Sequence, residues 1–151
     1  PLSIVSSSFG SVFYEKMNRT PQDRAKLYMS SYFLNLLLAF VILSPIIIWG
    51  EAIFSFALGN EWSIAGRIAR VILQLTIFSF ATECISTTFS ILKKNQLLLI
   101  WQIAYLVFSI ILFVTIRKID IFQLLMIYSL GGSIMYILLA LQGYRYVNNT
   151  K

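Results

Sequence analysis

Residues 70–94 read RVILQLTIFSFATECISTTFSILKK. Apart from one carboxylate, Glu83, the stretch from Val71 to Leu92 is uncharged and mostly apolar, long enough for a helix that crosses a bilayer core. Glu83 falls within about 5 Å of the middle of that helix at ~1.5 Å rise per residue. At about 100° per residue, Thr76, Ser79, Ser86, Thr87, Ser90 and Lys94 all project within about 60° of it. Leu73, Leu75, Ile77, Phe78, Ala81 and Ile85 largely fill other directions. The expectation is a polar stripe leading from mid-membrane toward Lys94. An ionised side chain at the bilayer centre costs about 2.5–3.5 kcal/mol even on the mildest scale, so Glu83 should face protein or water rather than lipid. Two readings stay open. Glu83 is either a neutral carboxyl hydrogen-bonded to a neighbouring helix as structural glue, or it lines a cavity and exchanges a proton, binds a cation or contacts a polar substrate.

Outward from this stretch the rest of the chain has the same character. Hydrophobic residues make up 58% and charged residues 12%, and mean hydropathy is +0.80. These values describe a membrane protein. Apolar runs at 28–49, 66–92, 97–116 and 121–143 are each long enough to span. The breaks between them are GEAIFSFALGNEWSIAG, KKNQ and RKID. Links this short make successive spans antiparallel neighbours, and strand-like alternation is absent, so the expected fold is all-α integral membrane: four transmembrane helices in an antiparallel bundle. The opening PLSIVSSSFGSVFY has no basic region and no cleavage site, and reads as the end of a preceding transmembrane helix in a fragment of a larger protein. The division is then 1–14 for that helix end, 15–27 for a basic loop, and 28–151 for the bundle with its tail.

Lys16, Arg19, Arg24, Lys26, Lys93, Lys94, Arg145 and Lys151 share one side of the alternating spans, and Arg67, Arg70, Arg117 and Lys118 the other. The richer side is expected to be cytoplasmic, with the C-terminus. A net charge of +6 is explained by these flanking residues and anionic headgroups, so no nucleic-acid partner is expected. Histidine is absent and Cys84 is the lone cysteine, which removes zinc sites, Cys-His pairs and disulfide frameworks, and no cofactor is expected. Cys84 reads as packing.

Other polar marks are open to both readings. Gln102, Tyr105 and Ser109 share a face of the third span; Tyr28, Ser31 and Asn35 share one of the first. They line the same cavity or hydrogen-bond between helices, and Tyr28 and Tyr32 also suit interfacial anchoring. Pro45 can kink the first span. Ser129, Gly132 and Ser133 in SLGGSIMY make a small-residue face for close helix approach.

Two stretches carry a resemblance. In ALGNEWSIAGRIAR, residues 57–70, Gly59, Trp62, Ala65 and Gly66 stand at fixed spacing. FGSVFYEKMNRTPQDRAKLY, residues 9–28, joins a hydrophobic helix end at Val12, Phe13 and Tyr14 to a charged linker that restarts after Pro21. Together they resemble the C-terminal half of Wzx-type polysaccharide flippases, of the multidrug and oligosaccharidyl-lipid exporter superfamily. The resemblance covers essentially the whole chain. It implies a bacterial inner-membrane protein of two helical bundles that moves an undecaprenyl-pyrophosphate-linked oligosaccharide outward by alternating access. Further helices of the same protein, membrane lipids and a driving ion, H+ or Na+, would be its partners. It carries over no substrate residue, and Glu83 matches no motif position.

Physically, a hydrated groove between bundles lets a sugar-phosphate headgroup cross while its lipid tail stays in the bilayer. Arg67 and Arg70 either attract phosphate near the outer end of the second span or mark the interface, since both project roughly opposite the Glu83 stripe. A cation-coupled drug or metabolite antiporter of the same superfamily is the rival transport reading, and a non-transporting scaffold subunit the rival outside transport. A membrane enzyme fits worst, because Glu83 has no paired carboxylate, histidine or ligand cluster on a loop. The sequons at 18–20 and 148–150 fall on the expected cytoplasmic side and read as chance.

Overall fold

The computed structural model describes residues 2–19, 23–115 and 119–149. Pro21, Arg117, Lys118 and Lys151, which entered the charge and linker expectations, lie outside the described residues. Within them the secondary structure is helical: α1 (Leu2–Arg19), α2 (Arg24–Leu58), α3 (Ser63–Ile91), α4 (Asn95–Thr115) and α5 (Ile121–Asn149), with a 3₁₀ turn at Asn60–Trp62. Four of these, α2 to α5, are long and apolar enough to cross a membrane.

The boundaries differ from the sequence expectation in two places. The first helix does not end at Tyr14 but runs on to Arg19, so the 15–27 connection is shorter than expected. Glu15 and Arg19 make an i,i+4 ion pair of 2.6 Å, the arrangement that supports an exposed last turn. The Arg24 Nε donates to the Met17 carbonyl at 2.9 Å and closes the connection. Likewise, α2 does not stop at Trp49. Its backbone leaves helical geometry there (φ −115°, ψ 20°) and then resumes to Leu58. Residues 51–58, EAIFSFAL, look like a break in hydropathy because of Glu51, yet none of them breaks a helix. The chain turns only at Gly59, whose φ of 102° excludes most side chains.

Pro45 sits four residues before the departure at Trp49. Proline has no N–H to give the Val41 carbonyl. The Ser44 Oγ supplies the missing donor, 2.8 Å from that oxygen, so the helix passes through Pro45 and bends further on.

α3 is the hub, packed against α1, α2 and α5. Lipid tails are as apolar as leucine, so helices associate here through close packing and hydrogen bonds rather than through water exclusion. α2 and α3 run in opposite directions: Gly50 meets Gly66, while Ala39 and Leu43 pack with Ile77 and Phe80. A Cβ on Gly66 would stand 2.5 Å from the Gly50 carbonyl oxygen, so only glycine allows this approach. α3 and α5 run in the same direction. The Ser129 Oγ donates to the Val71 carbonyl at 2.7 Å, and Gly132 lies against Leu75. Ser129, Gly132 and Ser133 are buried in this seam.

Toward the other end, Phe13 and Met17 of α1 join Tyr28, Cys84, Ile85, Ala140 and Val147 in a core. Gly143 leaves the room that the Tyr28 ring fills, and the Tyr28 hydroxyl donates to the Ala140 carbonyl at 2.9 Å. α4 is the outlier, with large apolar side chains such as Ile100, Ile103, Leu106, Ile110 and Val114 exposed around it. That is the surface of a helix that meets lipid on most sides.

Candidate functional site

Glu83 is exposed on the packed chain and opens into a cleft of about 280 Å³ between α3, α4 and α5. α3 contributes Ser79, Thr82, Glu83 and Ser86, at spacings of three and four residues that make one helical face. α4 contributes Leu98, Trp101 and Gln102, and α5 contributes Tyr136 and Leu139.

The hydroxyl hydrogens of this face are already used. The Ser79 Oγ donates to the Thr76 carbonyl at 3.0 Å, the Thr82 Oγ1 to the Phe78 carbonyl at 2.8 Å, and the Ser86 Oγ to the Glu83 carbonyl at 2.6 Å. Such bonds to the preceding turn satisfy a hydroxyl in a helix that lacks water, and they leave its oxygen lone pairs as acceptors. With the Glu83 carboxylate, the α3 wall is therefore rich in acceptors. The Trp101 Nε1 is also committed, to the Met135 carbonyl at 3.1 Å. That wall complements a donor or a cation, while the Gln102 amide and the Tyr136 hydroxyl on the facing helices add donors of their own.

Of the residues expected to share a cavity, the structure brings together Glu83, Ser79, Ser86 and Gln102. It does not bring Thr76, Thr87, Ser90, Lys94 or Tyr105 to the cleft. Thr87 lies against Gly10 of α1, and its Oγ1 donates to the Cys84 carbonyl. The Thr76 Oγ1 donates to the Ile72 carbonyl. Ser90 belongs to the end of α3, where its Oγ donates to the Asn95 Oδ1 at 2.9 Å. Lys94 is exposed beyond a tight turn closed by its own N–H to the Phe89 carbonyl, with Lys93 in the left-handed region at φ 54°. Ser90 and Lys94 lie too far along the chain, at and beyond the end of α3; for Thr76 and Thr87 the reason is rotational. α1 occupies one flank of the expected stripe, and the cleft opens about 50° around α3 from it, toward α5. That rotation also brings in Thr82, which a wheel centred on Glu83 leaves out.

Tyr105 stacks on Trp101, with ring centroids 5.4 Å apart and planes 20° from parallel, and its hydroxyl is 2.9 Å from that of Tyr128. Tyr136 packs against both Trp101 and Tyr105. This aromatic row joins the otherwise sparsely packed α4 to α5. The Ser109 Oγ donates to the Tyr105 carbonyl. The spacing of Trp101 and Tyr105 four apart on α4, and of Tyr128 and Tyr136 eight apart on α5, was the available sign of this row. Tyr28 and Asn35 are not in the cleft either. Both are buried, and the Asn35 Nδ2 donates to the Ser31 carbonyl at 2.7 Å. Cys84 is buried, in the same core as Tyr28.

A second concavity, of about 440 Å³, lies on the opposite face of α3 near its N-terminus. Arg67, Arg70, Val71 and Gln74 line one side, Phe122, Met126 and Leu130 of α5 another, with Ile47 of α2. The Glu51 Oε1 stands 3.8 Å from the Arg67 Nε and 3.5 Å from the Arg70 Nη1.

No family profile, no curated protein and no solved structure matches this chain.

Proposed function

We propose that this chain is one bundle of a bacterial inner-membrane transporter that moves a lipid-linked oligosaccharide by alternating access, as the resemblance to Wzx-type flippases implies, with its C-terminus in the cytoplasm. The observation that carries the reading is Glu83. A carboxylate in the middle of a membrane-length helix opens into a cleft instead of being sealed in the packed core, and lipid is a costly neighbour for it. A water-filled passage, closed by a second set of helices, removes that cost. The acceptor-rich wall suits the hydroxyl donors of a sugar headgroup, while the exposed apolar surface of α4 leaves the lipid tail in the bilayer. The protein is a carrier in this reading, not an enzyme.

The same wall also favours a second reading, a cation-coupled antiporter of the same superfamily, because a carboxyl group sharing a cleft with Ser79, Ser86 and Gln102 suits H+ or Na+. Export of lipid-linked glycan by cells carrying the full chain, measured with and without Glu83→Gln, tests the first reading. A glycan-export defect in the deletion strain, restored by the full chain, supports it. Normal glycan export in the deletion strain sinks it. Sodium- or proton-driven drug efflux in proteoliposomes, lost with the same substitution, would establish the second.

A further inference from the structure

We infer that the groove beside Arg67 and Arg70 is a binding site for one anionic glycerophospholipid, with its phosphate on the guanidiniums and an acyl chain along α5. This inference is independent of the transport reading. It starts from the Gly50–Gly66 contact, which brings α2 so close to α3 that Glu51 reaches both arginines. Glu51 gathers the two guanidiniums without consuming them. Its contacts, at 3.8 and 3.5 Å, engage one nitrogen of each. The other N–H donors of both have no protein partner among the described residues, and guanidinium forks suit phosphate oxygens.

Arg67, Arg70, Val71 and Gln74 recur at three- and four-residue spacing, so the donors follow one face of α3 into the groove and do not stop at the helix end. Across from them, Phe122, Met126 and Leu130 form an apolar row about 12 Å long at ~1.5 Å per residue. Asp120, just before α5, does not line the groove, and its Oδ2 accepts from the Phe122 N–H at 3.2 Å. A polar, cationic side facing an apolar row matches a lipid that has a phosphate at one end and hydrocarbon at the other. Charge selects which lipid. Two guanidiniums against the Glu51 carboxylate leave one net positive charge, which balances the net charge of phosphatidylglycerol; phosphatidylcholine already carries a cation beside its phosphate, and a diphosphate is left unbalanced.

Native mass spectrometry of the full chain in detergent, titrated in turn with phosphatidylglycerol, phosphatidylcholine and a polyprenyl diphosphate, tests the assignment. One phosphatidylglycerol should be retained about fivefold better than phosphatidylcholine, the effect of one net charge near the interface. Arg67→Gln with Arg70→Gln should erase the preference. Glu51→Gln, which keeps both arginines and removes the opposing charge, should raise phosphatidylglycerol retention by about fivefold again. That variant also decides the matter should the double variant fail to fold. Equal retention of the two phospholipids by the unaltered chain, a preference that survives the double substitution, no gain with Glu51→Gln, or displacement of phosphatidylglycerol by equimolar polyprenyl diphosphate would each overturn it.

Discussion

The two concavities of α3 are built from the same helix and have opposite chemistry. The cleft at Glu83 lies deep in the membrane span and presents a carboxylate and hydroxyl oxygens, with its serine and threonine hydrogens turned onto the helix backbone. The groove at Arg67 and Arg70 lies near the helix end and presents donors beside an apolar row. Depth accounts for part of the difference. Long cationic side chains near a helix end can reach headgroups at little cost, whereas a carboxylate at mid-depth needs water or protein around it. Packing accounts for the rest: the groove is defined by the glycine contact between α2 and α3, the cleft by the looser, aromatic attachment of α4 to α5. One site is therefore framed by a backbone-to-backbone contact, the other by side chains that reach between α4 and α5.

The strongest way to break this contrast is Gly66→Leu. The added side chain collides with the backbone of Gly50 and Glu51, so α2 must move away, with an expected loss of about 1–3 kcal/mol. Thermal melting in detergent should register the loss. The phosphatidylglycerol preference should vanish, while Ser79→Cys and Gln102→Cys, each in a Cys84→Ser background, keep their reactivity toward a membrane-impermeant thiol reagent. Loss of both sites together would show that they are one unit.

Glu83→Gln sharpens the contrast from the other side. It retains shape and hydrogen-bonding capacity but cannot exchange a proton, so transport should fall by at least about tenfold, equivalent to ~1.4 kcal/mol. The melting temperature should stay level or rise, since a neutral amide is easier to hold in a membrane. Undiminished transport with unchanged pH and sodium dependence would leave Glu83 a structural residue.

Trp101→Phe comes next in size. It removes the bond to the Met135 carbonyl and loosens α4, at about 0.5–1.5 kcal/mol, and should raise thiol reactivity at Ser79→Cys without altering lipid selectivity. The smallest expected effect is that of Tyr128→Phe. It deletes one hydrogen bond to Tyr105 at about 0.6 kcal/mol, the usual value between membrane helices, and a melting curve should shift by little. A larger shift would mean that the aromatic row acts as a cooperative unit.

Much of the architecture was legible in the residues because it depends on local properties. Apolar length identified the helices that become α2 to α5: the runs 28–49, 66–92, 97–116 and 121–143 overlap them closely, with residue 116 outside the described residues. The first of these shows where local reading stops. Hydropathy ended this span at Trp49, whereas α2 only bends there and runs on to Leu58, with Glu51 meeting Arg67 and Arg70 across the gap. A charge is a break in a hydropathy profile and only a different contact in a fold. Within the candidate site, Glu83, Ser79, Ser86 and Gln102 were readable from helical spacing. Thr82, Trp101 and Tyr136 were not, because each enters the cleft only through the angle at which α3 faces α4 and α5.

Residue type and period alone specify that these segments are membrane-length helices and that Glu83 is the polar residue most costly to leave in lipid, since transfer energy and helical rise belong to each segment separately. Which way α3 is turned is another matter. It follows from Gly66 against Gly50, Gly132 against Leu75 and Thr87 against Gly10, contacts between residues far apart along the chain. A helix in lipid has no water to orient its polar face, so its rotation is set by where neighbouring backbones can approach, and that rotation divides the acceptor cleft from the cationic groove.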